Sequence, residues 1–320
     1  MQLSRRGFLT AGAAFGAVWM MGGLTGCAAP TPRASSVAPG VARVDLGAVR
    51  VTMLSDGFGK RPLDAGFVRN APLAEVQAAL REAGLPTDTL TIPYTIPCIE
   101  VGGKRVLFDV GNGEFGQATA GKLLENLAAA GIDPKSIDAI VFSHFHGDHI
   151  NGLRNKAGAL VFPNAKLYVP EPEWAWWMDD ARMAAAPEAM KGAFAATRRV
   201  FGQLSGAVQR FAPGAEVLPG IRSLAAFGHT PGHTAFLVEG GTRKFLFWGD
   251  TTNIAALFVR HPDWAVSFDM DAEKARLVRR QLSDTAIREG WLVAGYHLPG
   301  SAVGTLAPRG TGYEFTPLGG

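Results

Sequence analysis

The sequence predicts a layered α/β domain, and three observations carry that expectation. From Val41 onward, short apolar runs alternate with stretches of helical spacing, and no linker is long enough to mark a second domain. Several of those runs stop at a histidine or an aspartate, as strands do when they deliver side chains to one edge of a sheet. With 47% hydrophobic and 18% charged residues, the 320-residue chain can bury a substantial core and is not disordered.

The elements follow in chain order. Residues 49–54 read as a strand ending in the turn Ser55-Asp56-Gly57. Leu73, Val76 and Leu80 recur at helical spacing and stop at Gly84. Residues 104–110 form a strand closed by Gly111, and Leu123, Leu124 and Leu127 mark a helix ended by Gly131. Ile137, Ala139, Ile140, Val141 and Phe142 read as a buried strand. The aromatic-dense Pro172-Glu173-Trp174-Ala175-Trp176-Trp177-Met178 leads into a helix-prone stretch through Met190, Phe194 and Phe201, for most of which packing is the expected role. Residues 235–238, 245–248 and 292–296 are strands. A last long helix is defined by Leu277, Val278, Leu282 and Ile287, with Asp271 placed to cap its start.

The chemistry gathers at Ser143-His144-Phe145-His146-Gly147-Asp148-His149, on the loop after the 137–142 strand. Three of the chain's seven histidines fall here, beside a carboxylate. Neutral imidazole nitrogens and a hard oxygen are the donors that zinc and its first-row neighbours take. Further along, Gly228-His229-Thr230-Pro231-Gly232-His233 is a turn leading into a strand, another strand stops at Gly249-Asp250, and a third stops at His297. In a layered α/β protein such ends share one edge, so these side chains can converge on a metal. No Gly-x-Ser-x-Gly elbow offers a serine nucleophile.

His144-x-His146-x-Asp148-His149, followed in order by His233, Asp250 and His297, resembles the metallo-β-lactamase-fold hydrolases. The resemblance implies an αββα sandwich with a binuclear metal site at one edge of the sheets. Carried over by position, His144, His146 and His233 would hold one metal, Asp148, His149 and His297 the other, and Asp250 would bridge them. His229 falls outside that set, as a supporting residue. Within the superfamily the chain looks most like methyl parathion hydrolase and its relatives, over nearly all of residues 51–315. That likeness would set Phe115, Trp177 and Phe194 around an apolar mouth over the metals. It also implies a homodimer.

The expected activity is hydrolysis by a metal-bridging hydroxide, with two divalent cations (zinc foremost) also polarising the substrate oxygen. Asp148 would orient the nucleophile as well as ligate. The expected substrate is a small, apolar or aromatic ester, lactone or phosphotriester. The alternatives are a β-lactam or thioester hydrolase of the same superfamily, or a non-catalytic metal- or ligand-binding lipoprotein. The bridging carboxylate at Asp250 argues against the first, and the few residues after His297 leave no room for a thioesterase's helical domain. Seven intact ligands argue against a binding relic.

The N-terminus reads as an address. Ser4-Arg5-Arg6-Gly7-Phe8-Leu9-Thr10 is a twin-arginine pattern before a soft, uncharged Gly/Ala-rich run, and Leu24-Thr25-Gly26-Cys27 resembles a lipobox. The organisation expected is therefore residues 1–27 as a twin-arginine-type signal peptide with lipobox, 28–40 as a flexible tether, and 41–320 as the hydrolase domain. Export to the periplasm, with membrane attachment through a lipidated Cys27, follows. Cys98, the other cysteine, lies in an apolar stretch and is expected to pack rather than react. Without Arg5 and Arg6 the 31 basic residues become 29, against 28 acidic ones, and no basic block exists, which argues against a nucleic-acid partner.

Overall fold

Runs rich in Val, Ile and Phe pair into two sheets in a computed structural model that describes residues 32–319. One sheet has eight strands side by side in chain order: β1 (Ala34–Ala38), β2 (Val41–Asp45), β3 (Arg50–Pro62), β4 (Thr89–Val101), β5 (Lys104–Phe108), β6 (Ala139–Val141), β7 (Lys166–Pro170) and β8 (Val208–Phe211). Pairing is antiparallel from β1 to β5 and parallel from β5 to β8. The other sheet holds β9 (Glu216–Leu218), β10 (Ile221–Ala225), β11 (Thr234–Val238), β12 (Phe245–Phe247), β13 (Leu292–Ala294), β14 (Val303–Arg309) and β15 (Gly312–Pro317), again in chain order, with β12 and β13 parallel.

The core lies between the sheets. Phe108 of β5 meets Phe236 of β11 and Phe247 of β12 at centroid distances of 5.1 and 5.4 Å. Strands β6, β11, β12 and β13 are buried along their whole length, as strands covered on both faces are. Among the described residues, seven helices flank the sheets: α1 (Leu73–Glu82), α2 (Leu123–Ala129), α3 (Gly147–Ile150), α4 (Glu171–Trp177), α5 (Asp180–Ala185), α6 (Glu188–Phe201) and α7 (Ala272–Glu289). Helix α2 packs on β3, α4 on β7 and α7 on β14. The fold is the expected αββα sandwich, two mixed sheets between helical layers.

Three local expectations are corrected. Residues 34–38, expected as tether, form the edge strand β1, paired antiparallel with β2. Strand β3 does not end at residue 54 but continues through a register shift between Ser55 and Gly57. There the Asp56 side chain turns inward and accepts hydrogen bonds from the backbone N–H groups of Asn112 and Leu123 at 2.8 and 2.9 Å. Such a bulge bends a strand without ending it. Helix α7 starts as expected, Asp271 accepting from Lys274 N–H at 3.0 Å, but it leaves Leu277 58% exposed and buries Arg279 and Ser283 instead.

The twin-arginine pattern and the lipobox lie outside the described residues. Among those described, no helix is long and apolar enough to cross a membrane. Cys98 is buried on β4 with no disulfide partner among the described residues, and burial pushes its thiol up to about 12. A packing role suits it.

Candidate metal centre

Four chain segments converge at one edge of the two sheets. β6 delivers the 143–149 loop, whose end coils into α3 with His146 as N-cap. β12 runs into the turn Gly249–Thr251 carrying Asp250, and β13 runs into His297. Because β11 is antiparallel to β12, the turn that precedes it, residues 228–233, meets them at the same edge. Thr234 N–H donates to Ser143 C=O at 3.0 Å and locks this turn to the first loop.

The rings are aimed. Four histidines each use Nδ1 on a protein group and turn Nε2 inward. Nδ1 of His149 meets Asp109 Oδ2 at 2.8 Å, that of His229 meets Asp269 Oδ1 at 3.0 Å, and that of His297 meets Pro93 O at 2.8 Å. His144 Nδ1 lies 3.0 Å from Ser143 Oγ. His146 faces the other way, its Nδ1 only 3.0 Å from His229 Nε2. Fixing one nitrogen by a carboxylate or carbonyl sets the tautomer and presents the lone pair of the other.

Asp250 sits among them with its oxygens divided. Oδ1 is 3.3 Å from His149 Nε2, while Oδ2 is 3.3 Å from His229 Nε2, 4.0 Å from His144 Nε2 and 3.0 Å from His297 Nε2. Asp148 Oδ2 lies 3.6 Å from His149 Nε2 and 3.7 Å from His297 Nε2. Tyr296 Oη donates to the Asp148 carbonyl at 2.6 Å and holds that residue's backbone. Among the described residues, three groupings have donor atoms within 4.8 Å of one another: His144–His146–His229, His144–His149–Asp250 and Asp148–His149–His297.

A cation fits this set. Among the described residues, His144 Nε2, His149 Nε2 and Asp250 Oδ1 are buried without a hydrogen-bond partner. Leaving such an atom unsatisfied costs about 1–3 kcal/mol, so three together at one point call for a shared partner. Burial, reinforced by the neighbouring rings, holds His144 and His146 well below the usual imidazole range and keeps them neutral donors. Burial alone would raise Asp250, but His297 and His149 outweigh it and hold its carboxyl well below the usual range.

His233, expected with His144 and His146, does not stand in their grouping, and His229, expected as a supporting residue, does. The ring of His233 is fully buried under the site, with Nδ1 donating to Ala226 O at 2.8 Å and Nε2 accepting from the Asp250 N–H at 3.0 Å. Both nitrogens are spent on backbone, so no lone pair is left for a metal. It sits one residue before β11, where the side chain enters the interior, whereas His229 rides the tip of the turn. That tip is pressed against α7: a Cβ on Gly228 would lie 2.3 Å from Ala275 N.

The substrate-side expectations are also corrected. Trp177 and Phe194 are each 1% exposed, packed on each other at 4.8 Å, and absent from the cleft wall. Trp177 points inward because its indole N–H donates to Glu173. Phe115 is exposed, but it lies beneath the Arg199 guanidinium, 3.7 Å from its ring, and also off the cleft. The cleft over the ligands, about 430 Å³, is walled instead by Ile92, Tyr94, Asn112, Asn253 and Phe268 around His146, Asp148, His229, Asp250 and His297. Ile92 belongs to a second apolar cluster with Phe67, Leu80, Ile254 and Phe258 that covers the far ends of β3 and β4.

Supporting groups also escaped sequence reasoning. Asp269 backs His229 and meets Arg279, a buried guanidinium that donates to the backbone oxygens of Thr251, Pro262 and Trp264. Asp109 also supports the site. It is fully buried at φ 63° and accepts from Ser143 N–H and Oγ, each at 2.7 Å, as well as from His149.

The profile of the Metallo-beta-lactamase superfamily matches residues 98–307. Among solved structures, the chain is similar to AidC, a dizinc quorum-quenching lactonase captured with its product, at 25% identity and a TM-score of 0.81, over 87% of this chain and 97% of that one. It is similar in fold to the hydrolase AbOPH, at 24% identity and a TM-score of 0.80, over the same shares of the two chains. Among curated proteins, ribonuclease Z of Pyrococcus furiosus is 38% identical over 68 residues. That match spans 21% of this chain and only about a fifth (19%) of the relative's length.

Proposed function

The chain belongs to the metallo-beta-lactamase superfamily, and on that premise we propose that it is a hydrolase dependent on two divalent cations, zinc foremost, that opens small neutral lactones and aryl esters. The observation that carries this reading is the convergence of histidine nitrogens on Asp250, with three buried polar atoms left unpaired at one point. His144, His146 and His229 would hold one cation, Asp148, His149 and His297 the other, and Asp250 would give an oxygen to each. Bound there, the cations would acidify a water toward neutral pH and polarise the oxygen of the scissile group.

The chain's own groups do the rest. Asp148, on the cleft wall with its side chain 26% exposed, accepts a hydrogen bond from the attacking water and orients it. Tyr94, also on the wall, carries a phenolic O–H. Its Oη is available to donate to a substrate oxygen. Ile92 and Phe268 offer apolar surface, and Asn112 and Asn253 offer polar anchors. This composition suits an uncharged ester.

Lactones come first in this reading because a dizinc lactonase shares the fold over nearly its whole length. The methyl parathion hydrolase likeness extends it to phosphotriesters. The near-balanced charge argues against RNA as substrate. We propose further that the enzyme acts outside the cytoplasm, anchored by a lipid on Cys27, and as a homodimer; Arg5→Lys with Arg6→Lys should trap it inside, and Cys27→Ser should release it from membrane fractions.

Metal analysis and a substrate panel test the activity. About two divalent cations per chain are expected, with loss of turnover on chelation and faster turnover of lactones and aryl esters than of penicillins or cephalosporins. Full activity in metal-free protein, or turnover of β-lactams alone, ends this reading.

A further inference from the structure

Glu173 is a carboxylate close to the centre that does not face the cleft. It lies in α4, fully buried, and each of its oxygens accepts two hydrogen bonds. Oε1 takes the Phe145 N–H at 3.0 Å and the Trp177 indole N–H at 2.6 Å. Oε2 takes the Thr230 hydroxyl and the Gly232 N–H, both at 2.8 Å.

The positions of those donors matter. Phe145 stands between His144 and His146, and Thr230 follows His229. One side chain therefore ties together the two loops that carry the His144–His146–His229 trio, 28 and 57 residues away from it along the chain. The second loop is pressed flat on α4, since a Cβ on Gly232 would come 2.1 Å from Glu173 N and 2.6 Å from its Cα. None of the four donors belongs to Asp148, His149 or His297, whose rings are backed by Asp109 and Pro93 instead.

We propose that Glu173 is a positioning residue that sets the distance between the His144–His146 pair and His229, and so controls occupancy of that metal site without controlling the other. The inference rests on the two-cation reading above. A carboxylate accepts at both oxygens, whereas an amide would set its NH₂ against at least one N–H that cannot turn away, Gly232 on one side or Phe145 and Trp177 on the other, and leave it buried and unpaired. The clasp is rigid because all four bonds leave one planar group.

The test is metal retention in the full-length protein loaded with zinc and competed with a chelator. Wild type should release two cations per chain in a characteristic order. Glu173→Gln should release one of them about 10–100-fold more readily while keeping the other as wild type does, the usual size for a group that orients a ligand. Asp109→Asn should weaken the opposite site more than this one, because it meets His149 directly and His144 only through Ser143 Oγ. Adding His229→Ala to Glu173→Gln should cost little further metal, whereas adding His297→Ala should empty both sites. Excess zinc should restore kcat to Glu173→Gln with KM nearly unchanged.

Loss of both cations in parallel, or of neither, overturns the proposal and leaves Glu173 a packing residue. Should Glu173→Gln fail to fold, Thr230→Val and Trp177→Phe each remove one donor from opposite oxygens and should loosen the same cation by smaller factors. Wild-type retention in both also overturns it. A wild type that binds no cation sinks the two-cation reading together with this one. A wild type that binds two cations yet hydrolyses nothing sinks only the activity, and the metal readout still decides the role of Glu173.

Discussion

The His144–His146–His229 trio and the Asp148–His149–His297 trio share Asp250, yet different parts of the molecule hold them in place. The second is anchored to the sheets: His149 leans on Asp109 just past β5, His297 on the Pro93 carbonyl of β4, and the Asp148 backbone on Tyr296 just past β13. The first is anchored mainly to the helical layer, through Glu173 in α4 and through Asp269, which itself meets Arg279 of α7, and only His144 reaches the sheet-side Asp109, indirectly through Ser143 Oγ. Sheet anchors come from the cooperative core, whereas helical anchors depend on how a peripheral layer docks. Substitutions far out in α4 or α7 should therefore disturb one trio and spare the other.

The largest effect should come from removing what the trios share. Asp250→Ala takes an oxygen from both, and its loss of kcat should exceed the roughly 10–100-fold that a supporting residue costs. Metal content per chain and turnover of an aryl ester check it; retention of two cations would break the shared-bridge picture.

Next comes a paired substitution that separates the two histidines of one turn. His229→Ala should lose one cation and most activity with little change in Tm. His233→Ala should keep the ligands' chemistry but strand the Asp250 N–H and the Ala226 carbonyl, costing about 1–3 kcal/mol for each unpaired group, read by thermal denaturation. The reverse pattern would return His233 to the ligand set.

Trp177→Ala sharpens the helical side of the comparison. The side chain is 1% exposed, so its removal should cost about 3–5 kcal/mol of stability, with KM for aromatic esters changed little. A rise in KM for bulky substrates alone, at wild-type stability, would put Trp177 back at the mouth of the cleft.

The smallest effect lies on the sheet side, away from both trios. The Arg105 side chain, then its charge and that of Arg50, hold the Glu100 carboxyl below its usual 4.5 against the opposing pull of partial burial. A lowered carboxylate stabilises the fold above its unfolded pKa, and that contribution fades as pH falls through the lowered value. Tm measured from pH 6 down to about 3 should thus fall slightly less steeply in Glu100→Gln than in wild type. Metal retention at neutral pH should not change.

Much of this centre was legible in the chain. His144, His146, Asp148 and His149 lie within one loop, and the short spacing alone forces their side chains together. Asp250 and His297 were readable because an apolar strand stops just before each, and strand ends in an α/β sandwich share an edge. The sandwich itself followed from the alternation of elements and from the resemblance those ligands carry.

Other features were decided only in three dimensions. His229 and His233 share one turn and the same residue type, so local chemistry cannot rank them. What separates them is an N–H from Asp250 and a carbonyl from Ala226 that close around His233, while Asp269, 40 residues from His229, backs the other ring. Trp177 and Phe194 show the same limit. Helical spacing tells which aromatics share a face, but a face lining a cleft and a face filling a core have the same composition until the opposing surface is known. Here that surface carries Glu173, whose four donors come from three separate segments, and no pattern within any one of them announces it. Metal-binding side chains were written locally; their alignment depends on groups brought together by folding.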